Sequence, residues 1–250
     1  MIDIHNHILP NIDDGASSWE VSLNMCRQAV ANGIKTIVAT PHILNGVYKN
    51  NPQDIEEKVK ILNQKIKENN IPLQILPGSE VHLSADIIEA IKNKEVLTLN
   101  KSNYILLEFP HTQIPLHIEE ILFQIQIMGI TPILSHVERN LKFQQKPALL
   151  SQLIQKGVLA QITAASLCGF FGPIPKKIAQ KFLSEDLVYS IASDAHTDSK
   201  EGRGSFFSQA LTEASKIIGH QAVLNLVHSN PKKIIMNISS LSRGGIKVGR

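Results

Sequence analysis

Met1-Ile2-Asp3-Ile4-His5-Asn6-His7 opens the chain as a short apolar-alternating run that ends in two imidazoles. In an extended segment residues i and i+2 share a face, so the His5 and His7 rings reach one cation without backbone strain. The same form recurs downstream. Residues 34–40 run into Pro41-His42, 73–77 into Gly78-Ser79-Glu80, 104–107 into Glu108, 131–135 into His136, and 188–193 into Asp194-Ala195-His196. Each run is short and aliphatic or β-branched, and each carries an imidazole or carboxylate at or just past its end.

Helical patterns separate these strands. Ser17-Ser18-Trp19-Glu20 reads as a capping box, with the Ser17 hydroxyl accepting from a first-turn amide, and Gly33 supplies a left-handed stop. Over residues 53–69, Ile55, Val59, Leu62 and Ile66 form one apolar stripe. Further helices are expected over 86–92, 117–128, 147–156, 173–184, 206–218 and 221–227. Alternation of this kind predicts an α/β fold with a parallel sheet and right-handed crossovers, and at 250 residues a closed or nearly closed barrel. Chemistry in such barrels collects at the C-terminal strand ends, where His5, His7, His42, Glu80, Glu108, His136, Asp194 and His196 all fall.

Composition narrows the class. With 43% hydrophobic and 19% charged residues the chain has the makeup of a globular domain and not of a disordered one. A formal charge of +3 is too small and too evenly spread for a nucleic-acid binder. No basic n-region precedes an apolar h-region, and Gln124, Gln126, Gly129 and Pro132 interrupt the longest apolar stretch, so neither a signal peptide nor membrane insertion is expected. A cytoplasmic protein is the expectation. Cys26 and Cys168 imply no disulfide framework, and neither is followed by an arginine six positions on, which removes a phosphocysteine route to ester hydrolysis. One domain is expected over residues 1–238, with 239–250 a basic, Ser- and Gly-rich flexible tail.

With Asp14 from the Asp13-Asp14-Gly15 turn, the candidate ligands are five histidines and four carboxylates. Imidazoles and carboxylates without thiolates suit Mn²⁺, Fe²⁺ or Zn²⁺, and nine side chains are enough for two or three cations. Such a pocket is net positive and activates water, which favours an anionic ester, and closely spaced metals serve phosphoester hydrolysis. Arg139, three residues past His136, and Arg203, on the Lys200-Glu201-Gly202-Arg203-Gly204 loop, are candidates to grip phosphate oxygens. The bland alternatives are a salt bridge to a helix carboxylate for Arg139 and a solvated surface position for Arg203. Phe109, Tyr48 and Phe171 are candidates to flank an aromatic substrate, against ordinary core or rim packing. His111 lies close to the expected barrel mouth, while His82, His117, His220 and His228 read as solvent-facing or satisfied by a polar partner.

His5-Asn6-His7-Ile8-Leu9-Pro10, Asp13-Asp14-Gly15, Ala39-Thr40-Pro41-His42, Pro77-Gly78-Ser79-Glu80, Leu107-Glu108-Phe109-Pro110, His136-Val137-Glu138-Arg139-Asn140, Gln161-Ile162-Thr163 and Ala192-Ser193-Asp194-Ala195-His196 occur in order. Together they resemble the polymerase-and-histidinol-phosphatase (PHP) superfamily, and within it the CpsB/CapC-type bacterial tyrosine-protein phosphatases of capsule and exopolysaccharide loci. The match runs from Met1 to about Phe207. This resemblance implies a distorted (β/α)7 barrel with three divalent metal ions, usually Mn²⁺, with Fe²⁺, Zn²⁺, Co²⁺ or Mg²⁺ as alternatives. One ion would take His5, His7, Glu80 and Asp194, a second would share Glu80 and add Glu108 and His136, and a third would take Asp14, His42 and His196. Arg139 and Arg203 would hold the phosphate. Arg203 lies seven residues past His196 where relatives place its counterpart five past, and Val137 replaces a proline.

The implied reaction is hydrolysis of phosphotyrosine by a metal-bridging hydroxide, on the phosphotyrosine tail of a bacterial tyrosine autokinase that governs polysaccharide export. Rival readings are a small-molecule phosphomonoesterase of the histidinol-phosphatase kind and a non-catalytic phosphotyrosine-binding regulator.

Overall fold

A computed structural model describes residues 1–237. The tail expected over 239–250, and the last residue of the expected domain, lie outside the described residues.

Among the described residues nine strands form: β1 (Ile2–Asn6), β2 (Thr36–Ala39), β3 (His42–Ile43), β4 (Gln74–Pro77), β5 (Glu80–His82), β6 (Tyr104–Glu108), β7 (Thr131–Leu134), β8 (Leu159–Thr163) and β9 (Ser190–Ala192). Every named pairing is parallel, in the orders β1-β2-β4 and β3-β5-β6-β7-β8-β9. Thr40-Pro41 separates β2 from β3 and Gly78-Ser79 separates β4 from β5, so each couple is one strand position broken near its C-terminal end. The nine pieces therefore fill seven positions. The ring closes where Asn6 bridges to Ala195, with His7 N–H donating to the Ala195 carbonyl at 2.9 Å and Asp194 N–H to the His5 carbonyl at 2.9 Å. A parallel α/β barrel with seven positions and a short closing seam is the expected fold.

Two apolar clusters hold it. Leu106 on β6 joins Ile2, Ile4, Val38, Ile133 and Tyr189 on one face of the curled sheet. Its neighbours Ile105 and Leu107 point the other way, into the larger cluster that packs helical Met25, Leu62, Leu122 and Phe182 against the strands. Ile55, Val59, Leu62 and Ile66 are all buried along the helix Pro52–Glu68, as their spacing predicts.

Three local expectations need correction. Ser18, not Ser17, caps the first helix, Trp19–Ala31, its hydroxyl oxygen accepting from Val21 N–H at 3.2 Å. The helix expected over 221–227 is instead His220–Leu224, running through a π turn at Asn225–Ser229 into Asn230–Ile235. Pro231, in the first turn of that last segment, has no N–H to donate, which favours a break in the regular ladder upstream of it. Phe109 is buried and stacks on Phe143 with centroids 6.1 Å apart, so it belongs to the core and not to a substrate surface. Gly33, at φ +79°, ends the first helix as expected.

Candidate metal centre

All nine candidate ligands converge at the C-terminal mouth of the barrel. His5 Nε2 and His7 Nε2 lie 3.2 Å apart. Glu80 Oε2 is 3.2 and 3.4 Å from those two nitrogens, and Asp194 Oδ1 is 3.4 and 3.6 Å from them. On one side His136 Nε2 approaches Glu80 Oε1 at 3.0 Å and Glu108 Oε1 at 3.5 Å. On the other, Asp14 Oδ1 lies 3.5 Å from His42 Nε2 and 3.4 Å from His196 Nε2. Between the two sides, His42 Nδ1 is 3.2 Å from Glu80 Oε2. Among the described residues three sets have ligand atoms within 4.8 Å of one another and could each hold an ion: His7, Asp14, His42 and His196; His5, His7 and Glu80; and His42, Glu80 and Glu108.

The protonation pattern decides what this cluster wants. Gln161 Oε1 accepts from His136 N–H at 3.2 Å, which identifies that atom as the amide oxygen. His5 Nδ1, 3.0 Å from the same oxygen, must then be the donor, leaving the His5 Nε2 lone pair bare. His7 Nδ1 donates to Asp13 Oδ2 at 2.7 Å and His196 Nδ1 to the Asp194 carbonyl at 2.9 Å, so in the neutral rings the Nε2 atoms are the ones left to bind a cation. With neutral rings, bare nitrogens would face carboxylate oxygens, acceptor against acceptor, in a buried pocket; without a metal, a proton on His7 Nε2 stands where a cation would. His42 Nδ1 and Glu80 Oε1 are also buried without a well-aligned hydrogen bond. Such an arrangement is unfavourable until a cation fills it, and these residues fit divalent ions.

Electrostatics agree. Burial opposes ionisation of Glu80 and Asp194, yet the surrounding imidazoles, His5 first, hold both carboxyls well below the usual range, with Arg203 and Arg139 adding to the effect at Asp194. Burial likewise works against charge on His7, but Asp13 and then Glu80 outweigh it and lift the ring well above its ordinary value. The pocket favours positive charge at its centre.

Backbone geometry aims the ligands. His136 (φ 34°) and Asp194 (φ 52°) occupy left-handed conformations unusual for such residues, turning their side chains inward at the ends of β7 and β9. A Cβ on Gly15 would lie 2.0 Å from the His7 carbonyl oxygen, so glycine alone lets the turn carrying Asp13 and Asp14 rest on the end of β1.

Arg139 and Arg203 reach the same rim. Both place Nη1 on Asp194 Oδ2, at 2.7 and 2.6 Å. Arg139 does form a salt bridge, though to a carboxylate just past a strand end and not on a helix, and Arg203 is partly buried in a second one. Tyr48 lies parallel to the His42 ring with centroids 6.1 Å apart, and the His111 ring is 5.6 Å from that of His136. His117, His220 and His228 are exposed.

Three contributors carry no individual role at the site in the sequence reading, although Asp13 and Gln161 lie within its motifs and His82 is read there as having a polar partner or facing solvent. Gln161 and Asp13 orient His5 and His7, and His82, on β5, sets Nδ1 3.3 Å from Glu108 Oε2. The parity of β5 carries a signal for His82, because residues 80 and 82 of one strand share a face.

Comparison with known proteins agrees with this geometry. Residues 1–236 match the family model described as capsular polysaccharide synthesis, CpsB/CapC. Tyrosine-protein phosphatase YwqE of Bacillus subtilis (strain 168) is 42% identical over 196 residues, covering 78% of this chain and 77% of that one. Tyrosine-protein phosphatase CpsB of Streptococcus pneumoniae is 34% identical over 242 residues, covering 95% and 99%. A crystal structure from work on YwqE and CpsB, described there as unique metal-dependent tyrosine phosphatases, superposes with TM-score 0.90 at 37% identity over 96% of each chain. The seven-position barrel, the converging ligands and the match along the described chain together place this protein in the CpsB/CapC family.

Proposed function

We propose that this chain is a metal-dependent protein-tyrosine phosphatase, acting in the cytoplasm on the phosphotyrosine tail of a bacterial tyrosine autokinase that controls capsule or exopolysaccharide synthesis. The observation that carries the reading is the set of imidazoles anchored through Nδ1, with their Nε2 atoms converging on carboxylate oxygens beside two arginines, in a chain whose relatives are tyrosine phosphatases. Three divalent ions, Mn²⁺ for preference, would be held by His5, His7, Glu80 and Asp194, by Glu80, Glu108 and His136, and by Asp14, His42 and His196. When bound, such ions supply a water nucleophile near neutral pH and positive charge for the oxygens of an in-line displacement.

The chain's own residues do the rest. Gln161 and Asp13 fix the tautomers of His5 and His7, so both rings present lone pairs and not protons to the centre. Arg139 and Arg203 present paired donors at the rim, where they grip the non-bridging oxygens of the phosphoryl group and stabilise charge that builds up there. A tyrosyl leaving group suits this apparatus, because a phenolate departs more readily than a serine alkoxide.

Phosphate release from phosphotyrosine and phosphoserine peptides, with Mn²⁺ added, tests the assignment. Strong preference for phosphotyrosine is expected; equal rates, or preference for a small-molecule phosphate such as histidinol phosphate, would overturn it.

A further inference from the structure

Arg139 and Arg203 donate to one oxygen, Asp194 Oδ2, although each carries a full positive charge. One carboxylate shared between two guanidiniums, with its other oxygen turned toward His5 and His7, leaves their mutual repulsion only partly cancelled. A second group lies against both. The Cζ atoms of Arg139 and Arg203 are over the ring of Phe171, 4.4 and 5.5 Å from its centroid. Both distances fall within the roughly 6 Å over which the negative face of a benzene ring attracts a cation.

The ring is itself held in place. Phe170 meets Phe171 edge-on at 4.9 Å and 79°, and Phe170 in turn lies 5.6 Å from Phe206. Phe206 ends the short turn Arg203–Phe206 that carries Arg203. The loops following β7, β8 and β9 therefore meet at Phe171, and each brings one member of the group.

We infer that Phe171 is a positioning residue for phosphate binding: its ring holds the Arg139 and Arg203 guanidiniums side by side against their repulsion, so that both are set for one phosphoryl group. The inference rests on the reading of these arginines as phosphate ligands. It assigns Phe171 a role different from flanking the substrate's aromatic ring, because its face is engaged by guanidiniums. Phe171 then matters equally for ligands with and without an aromatic ring.

The test is competitive inhibition of the Mn²⁺-loaded enzyme by inorganic phosphate, which has no ring. Phe171→Leu is expected to raise the phosphate inhibition constant about tenfold, with metal content unchanged, and Phe171→Tyr to restore it. Pentafluorophenylalanine at position 171 keeps the shape of the ring and reverses its quadrupole, and the same tenfold rise is expected. A phosphate constant unchanged by Phe171→Leu, with only KM for p-nitrophenyl phosphate raised, overturns the inference in favour of a substrate contact. Fluorinated protein that behaves like the parent overturns it in favour of simple packing. Arg139→Lys separates the two levels: if it leaves the phosphate constant unchanged, the phosphate-ligand reading fails. If it raises the constant while the Phe171 substitutions do not, only the role of Phe171 fails.

Discussion

Asp194 faces two ways: Oδ2 accepts from Arg139 Nη1 at 2.7 Å, while Oδ1 of the same carboxylate lies 3.4 Å from His5 Nε2. One side chain thus links the candidate ligand cluster to the cationic rim. Asp194→Asn keeps the shape and removes the charge, so both relationships weaken at once. Turnover is expected to fall by about a hundredfold or more, with loss of bound metal. Arg139→Lys should lower turnover while leaving the metal in place. Metal analysis of the two purified variants beside their kcat values checks the contrast; full metal content in Asp194→Asn would refute it.

Chelation should abolish phosphatase activity, and returning Mn²⁺ should both restore it and stabilise the fold. A ligand at a hundred times its Kd adds about 2.7 kcal/mol, which for a domain of this size raises Tm by roughly 5–10 °C. A melting curve of chelated protein that does not respond to Mn²⁺ would count against the cluster as a cation site.

The chelated and loaded proteins should respond oppositely to pH. Burial and Arg139 oppose charge on His136, but Glu108 and Glu80 outweigh them and raise its pKa from 6.5 to about 9. A raised histidine contributes stability that is fully present below 6.5 and is lost as pH climbs through 9. Chelated protein should therefore lose stability across that interval. Loaded protein should not, since metal binding requires His136 unprotonated and strengthens as protons leave. Urea titrations at pH 6 and pH 9 with and without Mn²⁺ decide the matter; parallel trends would contradict it.

Gln161→Leu removes the acceptor shared by His5 Nδ1 and His136 N–H, leaving the His5 ring free to take either tautomer. Metal affinity should drop about 10- to 100-fold, read by calorimetric titration of Mn²⁺ into chelated protein. An unchanged Kd would show that the tautomer is set by other means.

Thiol alkylation should spare activity. Burial pushes the Cys26 thiol up to about 12 and, with Glu213, raises that of Cys168, so neither forms thiolate near neutral pH. Iodoacetamide treatment at pH 7.5 followed by a phosphatase assay checks this, and stoichiometric inactivation would reopen a cysteine route.

Strand ends were readable because two periods meet there. Apolar alternation locates a strand, and a polar side chain just past its end has the barrel mouth to face, which singles out His42, Glu80, Glu108 and His136 without any structure. Gln161 was opaque for a physical reason. It lies inside β8 with no exposed surface, and an amide in an apolar run reads as a weak strand residue until the His5 ring comes within 3.0 Å from 156 positions away. His82 was hidden by strand brevity, since the three residues Glu80–His82 are too few to show a period. Ser17 and Ser18 differ by one place in an otherwise identical capping pattern, and which hydroxyl faces the first-turn amides depends on how the chain leaves the Asp13-Asp14-Gly15 turn.

The seam between Asn6 and Ala195 joins the beginning of the chain to a point four-fifths along it. During synthesis, His5 and His7 emerge long before Asp194 and His196 exist, so no nascent fragment short of that point can complete the cluster. On the proposed metal centre, cation capture then has to wait for β1 and the segment after β9 to meet.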